Sequence, residues 1–158
     1  MNRGFFSIVA MLLTSLTATA AMAASPVQLS SQIFVEKQQK RADGTMAVTL
    51  VAPKLIVPGD QLVFVVRYKN VGAQPANGFT VTNPLPKADA FSGTSDGNEI
   101  VSVDGGKSWG RLSQLSIKKA DGYVRPALRT DVTHLKWNMN QTLTAGAEGK
   151  LIFRGVVR

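Results

Sequence analysis

From residue 27 onward, apolar positions recur at every second residue, in short runs separated by turns that carry glycine or proline, which is the period of half-buried strands. "VQLSSQIFVEK" sets Val27, Leu29, Ile33 and Val35 on one face, and "TMAVTLVA" does the same for Met46, Val48 and Leu50. Ala42-Asp43-Gly44 between them is a hairpin signal. In "VPGDQLVFVVRYKNVG" the turn Pro58-Gly59-Asp60 launches a strand with Leu62, Phe64, Val66 and Tyr68 on one face. Its other face carries Val63 and Val65 before Arg67 and Lys69, so it is expected to be buried at its start and wet at its end. "GFTVTNPLP" is a shorter strand stopped by Pro84 and Pro86, which cannot donate to a ladder. "EIVSV" and "WGRLSQLSI" flank an Asp-Gly-Gly turn, and "DVTHLKWNM" and "KLIFRGVV" complete the chain.

No segment carries a helical stripe, and the runs amount to about eight strands. That pattern predicts an all-β, immunoglobulin-like antiparallel β-sandwich, with a closed barrel as the alternative. Two polar segments, residues 87–98 and 118–130, read as loops, and loops held by a rigid sheet are where binding concentrates.

The start of the chain breaks the strand pattern. Arg3 precedes the apolar run "FFSIVAMLL", a Thr/Ser/Ala-rich stretch follows, and Ala21-Met22-Ala23 offers small residues to a signal peptidase. The run is well short of the roughly 20 residues a membrane-crossing helix needs, so residues 1–23 read as a secretory signal peptide cleaved after Ala23, with an uncleaved anchor as the alternative. Residues 24–158 then form one domain with no transmembrane span, located in the periplasm, at the cell surface or in the medium.

Composition narrows the chemistry. The chain has no cysteine, which excludes disulfides, thiolate metal sites and lipid attachment through cysteine. Its net charge is +8, and loss of Arg3 with the signal leaves +7. An exported basic protein suits an anionic envelope component, or another envelope protein, as partner. No long Lys/Arg run with interleaved aromatics points to nucleic acid.

"VPGDQLVFVVRYKNVGAQPANGFTVTNPLP" and "HLKWNMNQTLTAGAEGKLIFRGVV" together resemble the bacterial conserved repeat domain, known as domain of unknown function eleven. In that family a Pro-Gly-Asp turn starts a strand ending in an Asn-x-Gly turn. A Pro closes the following strand, and later come a strand Trp, a Leu-x-x-Gly turn (here Leu143 to Gly146) and a final alternating strand. The resemblance is strongest over residues 50–158. It implies an immunoglobulin-like sandwich outside the cytoplasm with no assigned activity. Family members are often tandem repeats on long surface proteins, whereas here there is one copy with a hairpin inserted between its halves.

That hairpin, "SVDGGKSWG" from Ser102 to Gly110, resembles the Asp box of bacterial sialidases and other secreted sugar-active proteins. Sialidases repeat the motif on successive propeller blades, away from the catalytic centre, and need an arginine cluster and a nucleophilic tyrosine besides. Here there is one copy, and only Tyr68 and Tyr123 are present. Ser102, Asp104, Gly106 and Trp109 are therefore assigned a structural turn: Asp104 accepts backbone N–H groups, Gly106 takes a positive φ, and Trp109 packs back on the sheet.

Other constellations are thin. His134 is the only histidine, so a His-rich metal site is excluded, and no Gly-x-Ser-x-Gly elbow accompanies it. Asp43, Asp96, Asp104 and Asp121 each precede a glycine, as turn residues do. Asp96, Asn98, Glu99 and Asp104 could supply oxygens to a calcium ion, but without EF-hand spacing. No catalytic residue, cofactor or metal site is assigned. Candidate binding residues are Lys118, Lys119, Arg125, Arg129 and Trp109, facing an anionic glycan or lipid. The favoured function is a non-catalytic structural or interaction module; the alternative is a small glycan-binding or glycan-active module using the hairpin and basic loops. Protein recovered from the envelope or medium of an expressing bacterium is expected to begin at Ala24, as intact-mass measurement would show; a mass that retains Met1 would overturn the cleavage assignment.

Overall fold

The computed structural model describes residues 26–158, so the signal peptide expected over residues 1–23 lies outside the described residues. The described chain is all-β. Its strands are β1 (Val27–Lys40), β2 (Met46–Val51), β3 (Gln61–Asn70), β4 (Phe79–Pro84), β5 (Asp89–Thr94), β6 (Ile100–Ser102), β7 (Ser116–Lys118), β8 (Val124–Pro126), β9 (His134–Met139) and β10 (Glu148–Val157). Two single turns of 3-10 helix, Leu112–Gln114 and Arg129–Asp131, interrupt them. No helix among the described residues is long and apolar enough to cross a membrane.

The strands exceed the expected number because the segments read as loops contain some. β5 lies within residues 87–98 and pairs with β10 across a bulge, while β7 and β8 form a separate ribbon. "WGRLSQLSI", expected as one strand, keeps only β7 as strand; Gly110 makes a single bridge to Val101 and the 3-10 turn follows.

An antiparallel five-stranded sheet, in the order β2-β1-β3-β10-β5, faces a three-stranded sheet, β4-β9-β6. The core lies between β3 and β10 on one side and β9 on the other. Register places Phe64 opposite Phe153 and Val66 opposite Leu151. Phe64 and Phe153 stack at 4.5 Å, and Trp137 of β9 lies tilted at 6.0 Å from Phe153. Val81, Val101 and Leu135 complete the contact from the smaller sheet, and all three are buried. β3 is buried on both faces at its start and exposed at Arg67 and Lys69, as its alternation predicts.

The smaller sheet is too narrow to cover β1 and β2. Leu29 and Ile33 lie on the core side of β1, in register with Tyr68 and Phe64, yet remain 46% and 39% exposed. Val35, on the same side, is buried where Ala52 to Leu55 pass over it. The β1–β2 register sets Leu50, Val48 and Met46 opposite Glu36, Gln38 and Lys40, so the apolar faces of the two strands point to opposite sides of the sheet.

At the far end of β3, Asn70 is fully buried. Its Nδ2 donates to the carbonyls of Gln74 (2.8 Å) and Leu143 (2.9 Å), and its Oδ1 accepts the Gly72 amide (2.9 Å). A side chain at Gly72 would collide with Pro26, its Cβ lying 2.7 Å from the proline Cβ, which explains the glycine of the Asn-x-Gly turn. Asn70→Ala would remove a donor from the Gln74 and Leu143 carbonyls and the acceptor of the Gly72 amide, leaving Leu143 with the Ala76 amide alone. The expected loss is roughly 2–3 kcal/mol of unfolding free energy in a urea titration; a loss within error of zero would mean that the carboxamide is not the anchor.

Candidate functional site

The hairpin from Ser102 to Gly110 is built from its side chains inward. Ser102 is fully buried; its Oγ donates to Asp104 Oδ1 (2.7 Å) and accepts the Gly106 amide (2.8 Å). Asp104 Oδ1 also accepts the amides of Lys107 and Ser108, each at 3.0 Å, and its Oδ2 accepts the Ser108 hydroxyl at 2.6 Å. The Ser108 hydroxyl and amide, followed by Ser102 and Lys107, hold the Asp104 carboxyl well below the usual carboxylate range. Gly106 has φ +89, a left-handed conformation that only glycine adopts cheaply.

Trp109 closes the turn by donating its Nε1 proton to the Gly106 carbonyl at 3.0 Å. Its ring lies against the outer side of β9: Lys136 Nζ is 3.8 Å from the ring centroid, and the His134 ring meets it edge-on at 6.2 Å. His134 Nδ1 is 3.1 Å from Thr133 Oγ1. The same threonine hydroxyl accepts the Gly105 amide and donates to the Ser102 carbonyl, riveting the hairpin to the start of β9. Trp137, by contrast, is a core residue, 2% exposed.

The four basic candidates do not act as one group. Lys118 and Lys119 are exposed at the end of β7, with Lys119 Nζ 5.6 Å from the Tyr123 ring centroid. Arg129 is exposed in the 3-10 turn. Arg125 turns inward and clasps Asp131 with two hydrogen bonds of 2.6 and 2.7 Å, which lower the aspartate pKa. Asp131 also accepts the Leu128 amide, so this pair shapes the connection from β8 to β9.

The oxygens considered for calcium are spent or apart. Asp104 serves the turn, Glu99 Oε2 accepts the Thr94 hydroxyl at 2.5 Å, and no three acidic or histidine side chains gather among the described residues. Asp89 is a different acid: it is 5% exposed, and burial raises its pKa against the opposing pull of Arg158.

Sequence reasoning did not anticipate a shallow cavity of about 470 Å³ at the end of β9, lined by Asp96, Asn98, Asn138, Asn140 and Gln141 beside Trp137. The Trp137 indole N–H is buried without a partner. These polar residues stand on two loops and one strand end, a proximity that only the fold creates. Comparison with protein-family models, curated protein sequences and solved structures gave no match to the chain.

Because the folded-state pKa of Asp104 is depressed, its contribution to stability is present above the ordinary aspartate value of 3.8 and is lost as the pH falls below it. Asp104→Asn should lower the melting temperature by several degrees at neutral pH, and the gap to the parent should close on acidification below that value. Thermal melts at both pH values check this; a gap of equal size at both would show that the carboxylate charge is not what the hairpin uses.

Proposed function

We propose that this chain is a non-catalytic exported protein of the cell envelope or extracellular space, an immunoglobulin-like β-sandwich that serves as a structural or interaction module. The observation that carries this is the internal commitment of the hairpin. The Asp104 oxygens are filled by donors from its own turn, the Trp109 ring lies under Lys136, and His134 packs against that ring. A carboxylate held by several donors and far below its usual pKa is a poor general base. An aromatic face already stacked on an ammonium group is a poor platform for a sugar ring.

The two motifs that carry the likeness to the conserved repeat domain meet in the fold. The Asn-x-Gly turn at Asn70 and the Leu143–Gly146 turn, far apart in sequence, are joined by the Asn70 carboxamide and by the Gly146 amide donating to the Asn70 carbonyl at 2.9 Å.

The partner favoured by charge is an anionic envelope component, met by Lys118, Lys119 and Arg129, with Arg125 excluded because it holds Asp131. A second reading, a glycan-binding module, draws on a different observation: the carboxamide-lined cavity beside the unpartnered Trp137 N–H suits a neutral hydroxyl-bearing ligand.

One titration separates the two. Binding to lipopolysaccharide or anionic vesicles should weaken several-fold when Lys118, Lys119 and Arg129 are changed to Gln. It should also vanish between about 0.1 M and about 1 M salt, as the screening length drops from about 10 Å to about 3 Å. Equal binding by parent and variant would overturn the basic-patch assignment. Retention on a neutral oligosaccharide that Asn140→Ala abolishes would favour the glycan reading, and turnover of that oligosaccharide would overturn the non-catalytic one.

A further inference from the structure

We propose that two copies of this chain join edge to edge along β1, pairing antiparallel about a two-fold axis through Ser31. This gives the interaction module a partner and rests on that reading for its biological use, while the pairing itself stands on the geometry of one strand.

β1 has a half-open outer side. β2 pairs only with Val35–Lys40, whereas β3 pairs with Val27–Val35 on the inner side. Among the described residues, no strand pairs with the outer side of residues 27–34. Backbone direction there follows from the ladder: the Pro26 carbonyl accepts the Val71 amide at 2.7 Å, on the β3 side. Alternation then turns the even-numbered residues of β1 toward β3 and leaves the amides and carbonyls of Leu29, Ser31 and Ile33 facing outward. The same parity holds where β2 begins, since the Lys37 carbonyl accepts the Thr49 hydroxyl of β2.

Residues 27–35 themselves carry none of the usual edge protections. Natural edge strands carry lysine, proline or a bulge that discourages pairing. Residues 27–35, "VQLSSQIFV", contain no charge, no proline and no glycine, in a chain of net charge +8. The charges begin at once beyond the stretch, with Glu36, Lys37, Lys40 and Arg41. An uncharged seam is what two copies of a basic protein need in order to approach.

Self-pairing also satisfies the side chains. An axis through Ser31 sets Leu29 opposite Ile33 of the second copy, and Ile33 opposite its Leu29. All these residues belong to the outward-bonding class, so their backbone hydrogen bonds form in the same register. The two five-stranded sheets then become one continuous sheet. The apolar side chains that the small sheet leaves exposed cover each other across the seam. Sliding the register toward higher numbers runs into β2 at Val35, and sliding it the other way loses the Leu29–Ile33 match.

The test is sedimentation velocity of the protein purified after expression of the full chain, over a range of concentrations. The parent should reach twice the monomer mass. Ser31→Pro should return it to monomer with an unchanged circular dichroism spectrum, because the lost N–H faces outward and serves no bond to β3. Ile33→Lys, which places cations beside the axis, should do the same and decides the matter if the proline variant does not fold. The chain has no cysteine, so Ser31→Cys should form a disulfide-linked dimer on oxidation. The Cα atoms of a hydrogen-bonded pair stand about 5.5 Å apart, within disulfide reach. Gln28→Cys, remote from its own copy in this register, should not link.

A parent that stays monomeric at every concentration, or captures an unrelated extended peptide on this edge instead, overturns the proposal. So does a dimer that both edge variants leave intact. A monomer that still binds envelope material would overturn the edge pairing alone, and a dimer that cleaves glycans would overturn the non-catalytic reading alone.

Discussion

The buried carboxamide of Asn70 fixes the relation between the two halves of the fold. Two turns, one after β3 and one before β10, hang on its Nδ2 and Oδ1, and its own amide and carbonyl bond to Ala147 and Gly146. Those bonds set where β10 begins against the end of β3. With that register fixed, Phe153 falls opposite Phe64 rather than one residue away, where it would point to the other face. The stacked pair then presents the surface on which Trp137 packs. A polar group with all its hydrogen bonds made costs little to bury, and here it specifies which apolar groups meet.

The hairpin from Ser102 to Gly110 applies the same rule on a smaller scale. Ser102 and Asp104 collect amides that would otherwise point into the turn without acceptors, and Trp109 lays an apolar face over β9. A motif that occurs in sugar-active proteins is thus explained here by local hydrogen bonding alone. Within it the Asp104 oxygens accept from the turn's own donors, and Lys136 lies over one face of the Trp109 ring.

Sequence made the central strands legible and left the margins dark, for a physical reason. β3, β9 and β10 bury one face or both, so their alternation is strong and was readable. β5 offers one large apolar side chain, Phe91, among Asp89, Ser92, Gly93 and Thr94, and becomes a strand because β10 supplies the partner. The β7–β8 ribbon has no sheet face to bury and likewise left no periodic trace. The turn role of Asp104 could be read because its partners are local. The Arg125–Asp131 clasp could not, since nothing in a five-residue gap between an arginine and an aspartate distinguishes a bidentate pair from two solvated charges. The cavity beside Trp137 was invisible for a similar reason, being assembled from two connections that only the sheet packing brings together.

The unequal widths of the two sheets have a consequence that no alternation pattern contains. Leu29 and Ile33 repeat at the spacing of core residues, and they do lie on the core side, but three strands cannot roof five. The apolar surface left over therefore runs as a ledge along a strand edge. Recognition at such a ledge draws on backbone hydrogen bonds and register, with side chains choosing among alignments. Added salt does not weaken such a contact between two basic copies, because it screens their mutual repulsion, whereas contact of Lys118, Lys119 and Arg129 with an anion would weaken as salt screens it. The two surfaces occupy different elements, β1 at the edge of the large sheet and the connection that carries β7 and β8. The proposed self-pairing and the proposed basic contact therefore do not compete for the same residues.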